Sequence, residues 1–247
     1  MFIDIHAHLE MCHNLDEVVK RAKERNVLIL TSGVNVKINE FVIECAKKWD
    51  NVRASPGLYP MDGLIMNDSQ IEDAIDYLRR NKDKITAIGE VGMDFKESSD
   101  TKEWTRQAVV FRKMIRLAME LDKPVVVHSR KAEEDCIKIL EEEGAKKVVM
   151  HCFNGNFKLI KRVVDNRWFM TVPTNVIHSE HFQKVIREVS LNHLFCETDS
   201  PYLHPFKERN NEPSNVIESY KKIAEIKGLG LIEVEAAIET NFKKLFG

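Results

Sequence analysis

The chain is poor in the features that mark membrane, secreted and disulfide-built proteins. No apolar run approaches the roughly 20 residues that a bilayer span requires. The longest are short, as in Val27-Leu28-Ile29-Leu30 and Val125-Val126-Val127. The N-terminus opens on Met1-Phe2-Ile3-Asp4-Ile5-His6, with no basic segment leading into an apolar one. A secretory signal is therefore not expected, and a cytoplasmic location is. Cysteine is scarce and scattered (Cys12, Cys45, Cys136, Cys152, Cys196), with no CxxC pair. Such a set is expected to be buried thiols in a reducing compartment, not a disulfide framework or a thiolate zinc site. A surplus of one charge is also missing. The 37 Lys and Arg nearly balance the 39 Asp and Glu, which removes the broad basic footprint of a non-catalytic nucleic-acid binder but leaves room for a local groove. Low-complexity and Gly/Ser-rich linkers are absent. No membrane association and no obligate protein partner are expected.

What is present is a rhythm. Short β-branched apolar runs alternate with longer stretches of helical spacing. The runs at 2–5, 27–31, 52–58, 85–90, 125–128, 148–151, 169–172 and 194–197 predict eight strands. Most are apolar throughout, as expected of strands covered on both faces. Helices are predicted at 14–25, 40–49, 69–80, 102–121, 133–142, 157–164, 180–189, 214–226 and 232–245. Strand followed by helix, eight times in 247 residues, spells an α/β fold: a TIM-type (β/α)₈ barrel as one domain over 1–247. An open doubly wound sheet is the alternative topology for the same rhythm.

The polar residues favour the barrel. The first run leads into His6-Ala7-His8, the fourth into Glu90, the fifth into His128, the sixth into His151 and the eighth into Glu197-Thr198-Asp199. In a barrel the C-terminal strand ends converge on the active-site face. Four imidazoles and two or three carboxylates, without a thiolate, suit Zn, Mn, Ni, Co or Fe, and Mg where oxygen dominates. A divalent cation held by such groups lowers the pKa of a bound water towards about 7, and two cations roughly 3.5–4 Å apart can clamp both oxygens of a displacement. Glu90 is placed to bridge a His6/His8/Asp199 position and a His128/His151 position. Asp199 has two compatible roles, as ligand and as the base that orients and deprotonates water.

Each residue also has a plainer reading. His6 and His8 lie at i and i+2 and share a strand face, which a simple polar pair would do as well. His128 or His151 alone reads as a hydrogen-bonded core histidine. Glu90 is costly to bury without a partner. Asp199 also fits a turn or helix start. Together, five of eight strands ending in ligand types at the same end make the metal centre the stronger reading. Arg130 suits a phosphate or carboxylate, or else a surface ion pair with Glu133 or Glu134. Asn154-Gly155 offers backbone donors or a plain turn, and Trp104 packs on the rim. His178, His181, His193 and His204 read as surface residues, with His204 nearest to substrate. The Lys/Glu-rich pieces 141–147 and 207–212 read as solvated faces.

At this point the motifs resemble a known family. Residues 4–9 (DIHAHL), 89–94 (GEVGMD), 124–130 (PVVVHSR), 151–155 (HCFNG) and 197–203 (ETDSPYL) are similar, in order, to those of the TatD-type metal-dependent hydrolases, a branch of the amidohydrolase-like barrels. Residues 211–213 (NEP) and 241–246 (NFKKLF) resemble the family's later signatures. The resemblance implies two or three divalent metals and hydrolysis of DNA phosphodiester bonds, typically exonucleolytic. It implies His6, His8, Glu90, His128, His151 and Asp199 as metal ligands, with Glu90 and Asp199 catalytic and Arg130 and Glu197 as neighbours. One departure stands out: where the family commonly has Gly-Leu-His-Pro, this chain has Gly57-Leu58-Tyr59-Pro60. Tyr59 cannot replace an imidazole as ligand or cation but can donate a hydrogen bond or stack on a base. Tyr59, Arg130 and His204 are the expected substrate contacts. The chain also lacks a Lys at the end of the fourth strand, so relatives bridged by a carboxylated Lys are poor templates. A metal-dependent hydrolase of a small amide, ester or lactone uses the same ligands and remains the alternative to a nuclease acting on DNA or RNA. A non-catalytic metal-stabilised scaffold is disfavoured by the acid/base candidates.

Overall fold

The computed structural model describes residues 1–206 and 210–247; part of the Lys/Glu-rich piece at 207–212 thus lies outside the described residues. In chain order the elements are β1 (Phe2–Ala7), α1 (Leu15–Glu24), β2 (Val27–Ser32), α2 (Val36–Lys48), β3 (Val52–Ser55), α3 (Pro60–Ile65), α4 (Asp68–Arg80), β4 (Ile88–Gly92) and α5 (Thr101–Glu120). Then follow β5 (Val125–His128), α6 (Glu133–Glu142), β6 (Val148–Met150), α7 (Phe157–Asp165), β7 (Phe169–Pro173), α8 (Glu180–Glu188), β8 (Leu194–Glu197), α9 (Ile217–Lys227) and α10 (Leu231–Phe246).

All strand pairs are parallel, in ladders β1-β2-β3 and β4-β5-β6-β7-β8. Two seams of individual hydrogen bonds close the ring. At one, the Thr86 N–H donates to the Ala54 carbonyl (2.9 Å) and the Gly89 N–H to Pro56 (3.0 Å). At the other, the Asp199 N–H donates to His6 (2.9 Å) and the His8 N–H to Ser200 (2.8 Å). The fold is a TIM-type barrel and not an open sheet. Apolar residues on both sides of the strand layer, such as Ile3, Ile29, Val126 and Val149, are fully buried, which is why the strands read as unbroken apolar runs. No helix among the described residues is long and apolar enough to cross a membrane.

The differences from the sequence reading have local causes. β3 ends at Ser55, three residues early, because the Asn39 side chain takes both the N–H (2.9 Å) and the carbonyl (2.8 Å) of Gly57. β4 begins at Ile88 because Thr86 and Ala87 converge on one carbonyl, that of Ala54. α2 begins at Val36, where the Asn35 side chain accepts the Ile38 N–H (3.1 Å) and caps the helix. The short α3 was not expected; its signal is Pro60 at the first helical position. The helix expected from 214 starts as a 3-10 turn, Pro213–Val216, before α9. Of the cysteines, Cys12 and Cys152 are only half-buried, and all five are free thiols.

Gly92 is where β4 passes closest to β5. Its φ is +142°, and a Cβ there would lie 1.9 Å from the His128 carbonyl oxygen. Gly92→Ala is therefore expected to cost about 1–3 kcal/mol or more and to push β5 outward. Denaturant unfolding checks the cost, and an unchanged midpoint would refute it.

Candidate metal centre

The inner face of β1 builds one wall. His6 and His8, two residues apart where β1 ends, turn their rings to the same place, with Nε2 atoms 3.1 Å apart. His6 is fully buried and His8 nearly so. Across the barrel mouth, Glu90 sits 3% exposed. Its Oε2 lies 3.6 Å from His6 Nε2 and 3.5 Å from His8 Nε2. Its Oε1 lies 2.7 Å from His128 Nδ1 and 3.5 Å from His151 Nε2. One carboxylate thus faces two nitrogen pairs, one with each oxygen. Asp199 Oδ1 completes the first group, 3.6 Å from His6 Nε2 and 3.5 Å from His8 Nε2.

Asp199 owes its place to backbone in the left-handed region (φ 51°), unusual for a non-glycine residue. That turn is over-determined. Buried Asp4 accepts the Thr198 N–H (2.8 Å) and hydroxyl (2.6 Å). The buried Asn211 amide donates to the Thr198 carbonyl (2.9 Å) and the Tyr202 carbonyl (2.7 Å). Burial pushes the Asp4 carboxyl well above its usual range, and the Thr198 and His6 hydrogen bonds oppose that shift only in part.

Among the described residues, three groups could hold a metal: His6, His8 and Glu90; His6, His151 and Asp199; and Glu90, His128 and His151. Spacing tests the fit. His6 Nε2 and His8 Nε2 are 3.1 Å apart, and each is 3.5–3.6 Å from both carboxylate oxygens. Each triangle of the two imidazole nitrogens and one of these carboxylate oxygens has its corners about 2.0 Å from its centre, close to the roughly 2.0–2.2 Å of bonds from a zinc-like cation to N and O donors. The outer partners give a second test. The ring nitrogen that faces away from the cluster is engaged in every imidazole: His6 Nδ1 with Ser32 Oγ (3.0 Å), His8 Nδ1 with Glu10 Oε1 (3.3 Å), His128 Nε2 with Asp94 Oδ2 (2.9 Å) and His151 Nδ1 with Glu197 Oε2 (2.9 Å). Metal-binding histidines are oriented in this way.

The electrostatics agree. Burial alone would raise the Glu90 carboxyl, but the His128 hydrogen bond and the charges of His128, His6 and His151 hold it well below its usual range. Burial and the neighbouring His151 push His6 well down. His8 goes well up: burial opposes its charge, and the hydrogen bonds to Asp199 and Glu10 outweigh burial. His151, likewise opposed by burial, is lifted by Glu197 to about 9. Without a metal, the carboxylates favour protons on His8, His128 and His151 but not on His6, and a cation would supply the same positive charge.

A cavity of about 990 Å³ opens over the cluster. Glu90, His8, His128, His151 and Asp199 lie on its wall, together with Tyr59 and Arg130. Arg130 pairs with Glu97 (3.1 Å), not with Glu133 or Glu134. The Tyr59 hydroxyl donates to Asp94 Oδ2 (2.9 Å). His204 lies just past the lining residues Tyr202 and Leu203, where its Nδ1 accepts the Phe206 N–H (3.1 Å). His181 and His193 are half-buried and bonded to the carbonyls of Phe153 and Trp168, so of the histidines read as surface residues only His178 is exposed.

Sequence reasoning missed Asp94, Glu10, Ser32, Asp4 and Asn211 and left Glu197 a mere neighbour. Asp94, Glu10 and Ser32 sit at or within two residues of a strand end or ligand. Asp4 carried a stronger signal, a carboxylate inside an apolar strand. In metal-free protein the His151–Glu197 pair makes stability depend on pH. The raised His151 contributes fully below about pH 6.5 and loses its contribution as pH rises through about 9, a loss of about 3 kcal/mol at most. Unfolding measured in EDTA across that window should show the decline, and Glu197→Gln should flatten it; a slope that Glu197→Gln leaves intact would assign it to other groups.

Residues 3–247 match the TatD related DNase family. An uncharacterized metal-dependent hydrolase of Methanocaldococcus jannaschii is 36% identical over 99% of this chain and 96% of its own. The human deoxyribonuclease TATDN3 is 35% identical over 99% of this chain and 94% of its own. The crystal structure of a TatD homolog from Escherichia coli superimposes with a TM-score of 0.91 at 24% identity, covering 99% of this chain and 97% of that one. On a family match that runs through all the strands and both groups of ligand-type residues, the chain belongs to the TatD related DNase family.

Proposed function

We propose that the chain is a divalent-metal-dependent hydrolase of DNA phosphodiester bonds, a deoxyribonuclease. The observation that carries the metal part is the polar partner on the outward nitrogen of every imidazole of the cluster, a hydrogen bond for His6, His128 and His151 and a carboxylate contact for His8. The nuclease part draws on family membership and on the description of the human relative as a deoxyribonuclease. His6, His8, Asp199 and Glu90 Oε2 would hold one cation, and His128, His151 and Glu90 Oε1 a second. When bound, the cations supply Lewis acidity to a phosphoryl oxygen and acidify a water.

The side chains do the remaining work. Asp199 turns Oδ1 to the imidazoles, which leaves its other oxygen to take the proton of the attacking water. As the P–O bond breaks, that proton passes to the departing ester oxygen. The barrel order supports a reading of where a substrate would lie. β5 lies opposite β1 in a ring of eight, so Arg130 and Lys131, which follow β5, face Met11 and Tyr202 across the cavity. The cations suit backbone phosphates, and Tyr202, 51% exposed at the mouth, suits a stacked base. One observation favours the small-molecule alternative: Glu10, Asp62, Glu97 and Glu133 share the same walls and oppose a polyanion.

A hydrolysis screen of single-stranded DNA, RNA and small amides, esters and lactones separates the readings. EDTA should abolish cleavage, and Mn, Mg, Co, Ni or Zn should restore it; cleavage that survives exhaustive chelation overturns the metal reading. Asp199→Asn should lower kcat by about 10²–10⁴-fold, and an unchanged kcat removes Asp199 as the base. Tyr202→Ala should raise KM for an oligonucleotide by about tenfold with little change in kcat. Turnover confined to small substrates would overturn the nuclease reading.

A further inference from the structure

We propose that Tyr59 is a positioning residue: through Asp94 it fixes the tautomer of His128 and thereby sets the affinity of the Glu90–His128–His151 position for a cation. This rests on reading the cluster as a two-cation centre. His128 differs from the other imidazoles in orientation. His6, His8 and His151 turn Nε2 to the cluster. His128 turns Nδ1 to Glu90 Oε1 (2.7 Å) and Nε2 to Asp94 Oδ2 (2.9 Å).

That orientation places one imidazole between two carboxylates. A neutral ring carries one proton, and both carboxylates compete for it. With the proton on Nδ1, the ring donates to Glu90 and has no lone pair there for a cation. With the proton on Nε2, the ring donates to Asp94, and the Nδ1 lone pair and Glu90 Oε1 converge on one point. Only the second form binds a cation, so the position works to the extent that Asp94 wins the competition.

Asp94 is built to win by being immobile. It is fully buried. Its Oδ1 accepts the N–H groups of Lys96 (2.8 Å) and Glu97 (2.9 Å). Its Oδ2, which faces His128, is pinned by the Tyr59 hydroxyl (2.9 Å), a donor from the β3–α3 connection. The Tyr59 ring also packs edge-on against His128, with centroids 5.0 Å apart, and limits its rotation. Tyr59 therefore belongs to the support of the centre as well as to the cavity wall.

Tyr59→Phe keeps the ring contact and removes only the hydroxyl. Cobalt(II) titration of the metal-free full chain, followed by calorimetry and visible absorption, tests the claim. Wild type should bind two ions. Tyr59→Phe should weaken one of them by about tenfold and leave the other unchanged, and Asp94→Asn should weaken the same one by up to about 100-fold. In the metal-free protein, at a pH where the ring is neutral, ¹⁵N NMR of the imidazoles should show His128 protonated mainly on Nε2 in wild type and a larger share of the Nδ1-protonated tautomer in Tyr59→Phe. Unchanged affinities in Tyr59→Phe, or equal losses at both positions, would overturn the role of Tyr59 and leave the two-cation reading standing. A wild-type chain that binds fewer than two cobalt ions would overturn the two-cation reading itself.

Discussion

A carboxylate placed in the mouth of a barrel, with almost no water around it, has to be neutralised by something. Glu90 is that carboxylate, and the arrangement around it follows from the cost of its burial. Its two oxygens face two different sets of imidazoles. Desolvation would drive it to take up a proton, and the surrounding positive charge prevents this. A site that concentrates carboxylates and imidazoles at 3–4 Å spacing, out of water, is stable only with protons or cations among them.

Support for this arrangement comes from a ring of groups behind it. Ser32, Glu10, Asp94 and Glu197 each hold the far nitrogen of one histidine. Asp4 and Asn211 hold the turn that presents Asp199. These residues come from β1, β2, β8 and the segments after β1, β4 and β8, so the fold as a whole fixes the cluster. Strand ends are rigid platforms, and loops over them are freer to vary. The barrel thus separates a fixed reaction centre from adjustable walls. Those walls carry the mixed signals here: cations and an exposed tyrosine on one hand, four carboxylates on the other.

Much of the fold was legible because burial on both faces leaves an unmistakable mark. The runs around Val27, Val125 and Val148 are apolar without alternation, and each became a strand of the barrel. What failed was local. β3 stopped early because a side chain from the preceding helix, Asn39 of α2, captured the backbone of Gly57. No property of residues 52–58 announces that capture. α3 was hidden because a six-residue helix carries too few turns to show a period.

The sequence by itself determined the types of donor at the strand ends and the face on which a parallel barrel gathers them, because strand periodicity and barrel chirality leave little freedom. Only the tertiary structure decided which atom of each ring points inward, which carboxylate stands behind it, and that Tyr59 reaches Asp94. Those outcomes depend on distances between segments more than thirty residues apart, as with Tyr59 and Asp94 or His151 and Glu197. Hydrogen bonds discriminate over tenths of an ångström, a scale at which residue order says nothing until the chain has closed.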